Sequence, residues 1–493
     1  MKSNSRLLVL VLSLIALSRI TPSVLSNNVF STDTWPLIRL AEKLVENPSV
    51  GVFSLDTHHA KWPLSTIMSL VYTGICGVDV ISFYKYIGVL IPVFSLTLLF
   101  YLLLGLTSSG LPRSLGLLAL LVYPSYTVFT SAYLKEVYAY PLLLVYLYLV
   151  LSRRERSVWA VLLITAIALS LSHPLASLMA LASTSTLLYI WIVERARFGP
   201  GSSVDYRGMV LSILLLGATY ILHARLVGVY YVFTIIDLLV LGAYTMVLYG
   251  LYFTIHGDER GFNTPGYLLL GVSIIAYILL VKTPVLTHTT ILYALPLVIL
   301  VLPVQGRRWE RGFYTSILLP IAIGVLYTLT YAKWMASITH RFLNYLVYPL
   351  GFKLAYYASI KPRTVFTLLL VFLATSTIVY YSVSTGSDPL TFYWRYTMED
   401  TSLKGFIEGY KETGVQMIGG AKYSYLLGLT LDLELARLQV SSSLRRDVLL
   451  LLDSRELVYG VPVSPIYYIY LKPDIYYCNS LVYNSLSNYV LVG

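Results

Sequence analysis

The stretch NNVFSTDTWPLIR, Asn27 to Arg39, follows an apolar run from Leu7 to Leu25. That run is close to the ~20 residues needed to cross a bilayer, so the stretch after it lies where the chain leaves the membrane. It holds one carboxylate, Asp33, just before Thr34-Trp35-Pro36. From Trp35 onward the periodicity is helical. Leu37, Leu40, Ala41 and Leu44 share one face, while Arg39, Glu42, Lys43 and Glu46 line the other. Pro36 suits a first turn, and Asp33 or Thr34 is the expected N-cap. A helix of this kind lies flat in the membrane interface. Asp33 is thereby held at the water–lipid boundary and becomes the first candidate for catalysis.

Composition sets the class. The chain has 493 residues, 57% hydrophobic and 12% charged, with a mean hydropathy of +0.73. A soluble chain carries roughly 25% charged residues, so the fold class is an all-α polytopic membrane protein. The 44 tyrosines suit helix ends at headgroup depth. The formal net charge of +11 invites a nucleic-acid partner. That partner is rejected, because Lys and Arg fall mostly in short loops between apolar runs, which is a topology signal. Lys2 and Arg6 precede a first run that is long for a signal peptide and is followed by no clean small-x-small cleavage site. An uncleaved first span is expected. Cys76 and Cys478 form no metal motif.

Thirteen apolar runs lie at 7–25, 85–106, 114–132, 138–152, 158–172, 176–194, 209–222, 228–255, 267–281, 290–304, 313–331, 342–358 and 364–384. With the N-terminus inside, the inner loops hold RRER (Arg153–Arg156), ERARFGPGSSVDYR (Glu194–Arg207), QGRRWERG (Gln305–Gly312) and KPR (Lys361–Arg363). The outer loops are poor in Lys and Arg, as the positive-inside rule requires. The expected division is a transmembrane domain over 1–384 and an extracytoplasmic C-terminal domain over 385–493. The latter reads as a small α/β unit. A helix at Glu399–Thr413 precedes a short strand in VQMIGG (Val415–Gly420), apolar runs at Asp447–Asp453 and Ile466–Leu471, and a hairpin-like pair around Asn484–Asn488.

The first outer loop, about 26–84, also contains SLDTHHAKWP (Ser54–Pro63), which gathers Asp56, His58, His59 and Lys61. The segment after it, LSTIMSLVYTGICGVD (Leu64–Asp79), reads as a second interfacial helix. Counting it as a span would invert every later loop. Asp56 with His58 and His59 has the chemistry of a Zn or Mn site, although adjacent His side chains diverge on most backbones.

In this order of features the chain resembles the first outer loop of GT-C glycosyltransferases, polytopic enzymes that use polyprenyl-phosphate sugars and include protein mannosyltransferases and oligosaccharyltransferases. Two further stretches are similar to that superfamily. TSAYLKEVYAYPLLL (Thr130–Leu144) matches its second outer loop, with Glu136 as the acidic residue. SITHRFLNYLVYPLGF (Ser337–Phe352) matches a late outer loop, with Arg341 as the cation for the lipid phosphate. His173, in the Ser-His-Pro turn of the fifth run, is the most family-like histidine. The WWDYG signature of oligosaccharyltransferases is absent, and SVST (Ser382–Thr385) lacks the Glu of that family's SVSE motif and sits elsewhere in the chain.

The resemblance implies an inverting sugar transfer from a polyprenyl-phosphate donor to a lipid, glycan or protein acceptor on the outer face. Inversion needs a base for the acceptor hydroxyl and stabilisation of the departing phosphate. Asp33 is then the base, or with Asp56 the ligand of a divalent metal (Mg, Mn or Zn). Glu136 is a supporting carboxylate and Arg341 the phosphate clamp. Lys61, His58, His59 and His173 are further substrate contacts. The bland alternatives are a helix cap for Asp33, an ion pair with Lys135 for Glu136, and an interfacial anchor for Arg341. Asp237, within FTIIDLLVLG, reads as a carboxylate near mid-membrane. It keeps open a transporter or flippase. A non-catalytic membrane scaffold is the third possibility.

Overall fold

The structure, a computed structural model, describes residues 2–55, 59–151, 156–198, 206–228, 234–255, 292–293, 295–301, 308–332, 339–388, 391–408, 416–428, 448–459, 461–464, 467–471, 480–484 and 488–492. Asp56, His58, Cys478 and the run 267–281 fall outside the described residues. The chain is mostly helical with a small C-terminal sheet.

Six described helices have the length and composition to cross a membrane: Arg6–Ser26, Val80–Leu104, Pro174–Val193, Tyr206–Leu226, Gly312–Tyr331 and Pro362–Thr385. Leu64–Cys76, Gly110–Val122, Val158–Ser172 and Ile235–Gly250 are shorter apolar helices. Tyr206–Leu226 leaves Leu214, Ile221 and Leu222 more than half exposed, as suits a face turned to lipid. The segment Gly312–Tyr331 is instead largely buried.

The run 114–132 is not one rod. It divides into Gly110–Leu117, Ala119–Val122 and Pro124–Phe129. Pro124 forces Tyr123 into extended backbone, with φ −101° and ψ 98°. Arg19 of the first helix, α1 (Lys2–Ser26), answers that break. Its guanidinium is buried; Nε donates to Thr130 Oγ1 at 2.6 Å and Nη2 to the Leu120 carbonyl at 2.5 Å. The broken helix thus supplies the acceptors that a buried cation needs. The next helix, Lys135–Leu151, starts just beyond the break.

The helix α2 (Thr34–Glu46) forms where the periodicity puts it. Its apolar face does not lie on lipid. Trp35, Leu37, Ile38 and Ala41 are buried in one cluster with Tyr84 and Tyr133, and with Tyr396, Leu426 and Val490 of the C-terminal region. Arg39 secures this join, its Nη1 donating to the carbonyls of Tyr425 and Leu426. The helix α3 (Leu64–Cys76) packs beside α2 and ends at Gly77, whose φ of +66° is the left-handed cap that glycine favours.

The C-terminal sheet has the order β1-β2-β6-β5, formed by Gln416–Gly419, Val448–Asp453, Asn488–Val492 and Ser480–Asn484. The strands β1 and β2 run parallel, and β6 is antiparallel to both β2 and β5. A second pair, β3 (Val461–Ser464) with β4 (Tyr467–Ile469), is antiparallel. Strand β2 is buried along its whole length, and its residues Val448–Leu452 form a continuous apolar run that ends at Asp453. Lys422 is buried between Asp400 (2.8 Å) and Asp453 (2.6 Å), and Arg455 also pairs with Asp453 (2.9 Å). Burial first, and the Asp453 charge second, push the Glu456 carboxyl up to about 8.

Asp237 lies in the first turn of the helix Ile235–Ile255. The Thr234 backbone N–H donates to its carboxylate at 2.7 Å, and the Asp237 N–H donates back to Thr234 Oγ1 at 3.1 Å. This is a reciprocal capping box, and Tyr327, in the segment Tyr327–Tyr331, also donates to the carboxylate at 2.7 Å.

Candidate active site

Three segments far apart in sequence bring Asp33, Glu136 and Arg341 together. Asp33 occupies the N-cap position of α2, but its side chain makes no capping bond. It faces Arg341, whose Nη2 lies 3.0 Å from Asp33 Oδ2. Capping therefore does not account for this carboxylate. The approach to Asp33 is fixed from both sides. Ser31 has a φ of 82°, a left-handed conformation rare without glycine, and its N–H donates to the Trp394 carbonyl at 2.8 Å. Thr34 Oγ1 is 3.0 Å from the Phe30 carbonyl and 3.2 Å from that of Tyr133. The second contact ties the start of α2 to the segment that carries Glu136.

Arg341 stands on the short helix Thr339–Asn344. Thr328 and Thr339 hydroxyls meet at 2.8 Å, Tyr123 donates to the Leu343 carbonyl at 3.0 Å, and Ser125 donates to Asn344 Oδ1 at 2.8 Å. Gly324 makes room for this helix, since a Cβ there would come within 2.3 Å of the Phe342 ring. The Arg341 guanidinium carbon lies 5.9 Å over the Phe129 ring. Its Nη1 is 3.7 Å from Glu136 Oε2, so one planar fork spans two carboxylates.

Glu136 lies in the first turn of Lys135–Leu151, ahead of the apolar body at 137–151, and is buried. Tyr140 donates to its Oε1 at 3.2 Å, and His173 Nε2 is 4.0 Å from Oε2. Burial pushes the Glu136 carboxyl up to about 7, although Arg341 pulls the other way. The neighbouring Lys135 ammonium is buried too. Burial, then the Arg341 charge, bring it down to about 7 against the pull of Asp33.

These groups line one cavity of about 230 Å3, bounded by Asp33, Leu37, His59, Leu134, Lys135, Glu136, His173, Arg341 and Tyr425. Five residues singled out in the sequence thus meet: Asp33, His59, Glu136, His173 and Arg341. Lys61 is not among the lining residues; its carbonyl accepts from His223 Nε2 at 2.9 Å. The Asp56 and His58 candidates lie outside the described residues. Among the described residues, no three His, Cys, Asp or Glu side chains form a group able to hold a metal ion. Asp33, the proposed metal ligand, faces a guanidinium instead.

Lys135 and Tyr425 are lining residues that the sequence did not single out. Lys135 stands beside Glu136 and could have been found through it. Tyr425 belongs to the helix Ala421–Leu427, in the C-terminal region, and no local pattern distinguishes it. Comparison with known proteins adds no name to this geometry: no family model matches the chain, and no curated protein matches it.

Proposed function

We propose that the chain is a membrane glycosyltransferase of the GT-C type. It moves one sugar, with inversion, from a polyprenyl-phosphate donor to a lipid, glycan or protein acceptor. The observation that carries this reading is the convergence of Asp33, Glu136 and Arg341 on one cavity. The wider topology of the reading has thirteen spans, a cytoplasmic N-terminus, and an extracytoplasmic C-terminal domain beside the cavity.

The chemistry follows from the groups present. The Asp33 carboxylate takes the proton of the acceptor hydroxyl. The acceptor oxygen then bonds to the anomeric carbon from the face opposite the phosphate. The bond from that carbon to the phosphate oxygen breaks, and the electron pair leaves with the phosphate. In this reading Arg341 receives the resulting negative charge, the phosphate competing with Asp33 for the guanidinium. Glu136 holds the guanidinium from its buried side, with Tyr140 and His173 behind it.

Two experiments test the assignment. The glycans and glycolipids of a deletion strain should lack one sugar present in the parent. Purified protein should transfer a sugar from a polyprenyl-phosphate donor to an acceptor fraction of that strain. Unchanged glycans and glycolipids, with no transfer in vitro, would reject the assignment.

A further inference from the structure

We propose that Lys135 is a second phosphate-binding cation of the cavity, acting with Arg341 on the lipid-linked phosphate. The inference rests on the transferase reading and deepens it, by assigning the donor headgroup a second contact residue.

Three observations lead to it. Lys135 lines the cavity yet is only 8% exposed. Its Nζ is buried and has no hydrogen-bond partner among the described residues. It lies over the Trp62 ring, whose centroid is 5.3 Å from Nζ. An ammonium has three donors and no acceptor capacity, and burying it without acceptors is unfavourable. A ligand bearing anionic oxygens would remove that penalty on arrival.

Charge balance points the same way. Arg341 is already spanned by two carboxylates, Asp33 and Glu136. A phosphate that reaches Arg341 therefore competes with carboxylate oxygens already in place, whereas the Lys135 ammonium meets no acceptor among the described residues. When the sugar leaves, the phosphodiester becomes a phosphate monoester and gains negative charge. A second cation therefore favours the departing group more than the bound donor. The shift of the Lys135 ammonium down to about 7 fits a group that awaits an anion, because a neighbouring negative charge would restore its proton affinity.

Binding measured without turnover separates this inference from the transferase reading. Full-length protein in lipid nanodiscs is titrated with farnesyl phosphate and, in a separate arm, with inorganic phosphate. Lys135→Gln should weaken farnesyl phosphate binding by roughly 10- to 100-fold, as expected for a lost charged hydrogen bond. Lys135→Arg should recover part of that loss. Unchanged binding in a folded Lys135→Gln protein overturns the inference. Equal affinity for inorganic phosphate, with the same dependence on Lys135, overturns the assignment to a lipid headgroup. If Lys135→Gln does not fold, the wild-type protein decides: farnesyl phosphate should protect Lys135 from a small amine-reactive reagent, read by peptide mass spectrometry. Absence of protection rejects the contact. A protein that grips farnesyl phosphate through Lys135 but transfers no sugar would keep this inference and sink the transferase reading.

Discussion

Replacing Asp33 by Asn separates chemistry from architecture, because the structure assigns this carboxylate almost no stabilising duty. It makes no capping bond, so nothing is lost at the start of α2. Its ion pair with Arg341 is 3.0 Å long, but the two side chains are 29% and 25% exposed. Pairs that reach solvent contribute about 0–1 kcal/mol, and an Asn amide oxygen can still accept from the guanidinium. The melting temperature should therefore stay close to that of the wild type. Transfer should not. Loss of a general base costs at least ~100-fold, equivalent to about 2.7 kcal/mol in the barrier. Phosphate binding moves the other way. Asp33 competes with an incoming phosphate for Arg341, so farnesyl phosphate should bind Asp33→Asn at least as tightly as wild type. The assay is sugar transfer from a polyprenyl-phosphate donor by purified protein, with melting and binding measured on the same preparation. Full transfer activity in Asp33→Asn would remove Asp33 from the chemistry. A large drop in melting temperature would instead show that the ion pair matters more to folding than its exposure implies.

Three other outcomes are expected. Arg341→Lys should impair transfer and Arg341→Ala should impair it roughly ten- to a hundred-fold, the usual cost of a lost charged hydrogen bond; a rise in KM alone marks grip on the donor, a fall in kcat marks the departing phosphate, and no change in either leaves Arg341 only an anchor. Glu456 is held up to about 8 from an ordinary 4.5, so the folded state keeps a proton that the unfolded state releases. Its contribution to stability therefore declines as pH rises from 4.5 towards 8, by up to ~1.4 kcal/mol per pH unit; Glu456→Gln should flatten that part of the melting profile, and identical profiles would refute the assignment. Cys76 is an exposed free thiol at the end of α3; a membrane-impermeant maleimide should label it in intact cells, whereas labelling only after permeabilisation would reverse the proposed topology.

What was legible in the sequence was local. The helix α2 is set by its own periodicity, and Asp33 by its place before it. The Thr234–Asp237 capping box was also available as a Thr-x-x-Asp pattern, but the apolar residues around it drew attention to burial rather than to a helix start. Breaks inside apolar runs are harder to see, because hydropathy is blind to them. Only Pro124 marks the division within 114–132, and nothing in Leu7–Leu25 shows that Arg19 will find its acceptors there. The partner of the amphipathic face of α2 was hidden for a related reason: an apolar stripe says that something covers it, and lipid and protein cover it equally well. Here the cover is the cluster around Tyr396, Leu426 and Val490.

The same limit decides how much of the cavity could be anticipated. Asp33, Glu136 and Arg341 each stand at a helix start or in a short helix, where a charge among apolar neighbours draws notice. Their meeting depends on contacts that no local pattern encodes: Thr34 on the Tyr133 carbonyl, Tyr123 on the Leu343 carbonyl, Gly324 against Phe342. Arg39, on the polar face of α2, binds the Tyr425 and Leu426 carbonyls and so helps to hold Tyr425 at the cavity. The helix that positions Asp33 therefore also holds the C-terminal wall of the cavity. A residue that looks like solvated surface in an amphipathic pattern is in this fold a hinge pin between two regions, and loss of its guanidinium would loosen the wall opposite Lys135 and Glu136 without touching either of them.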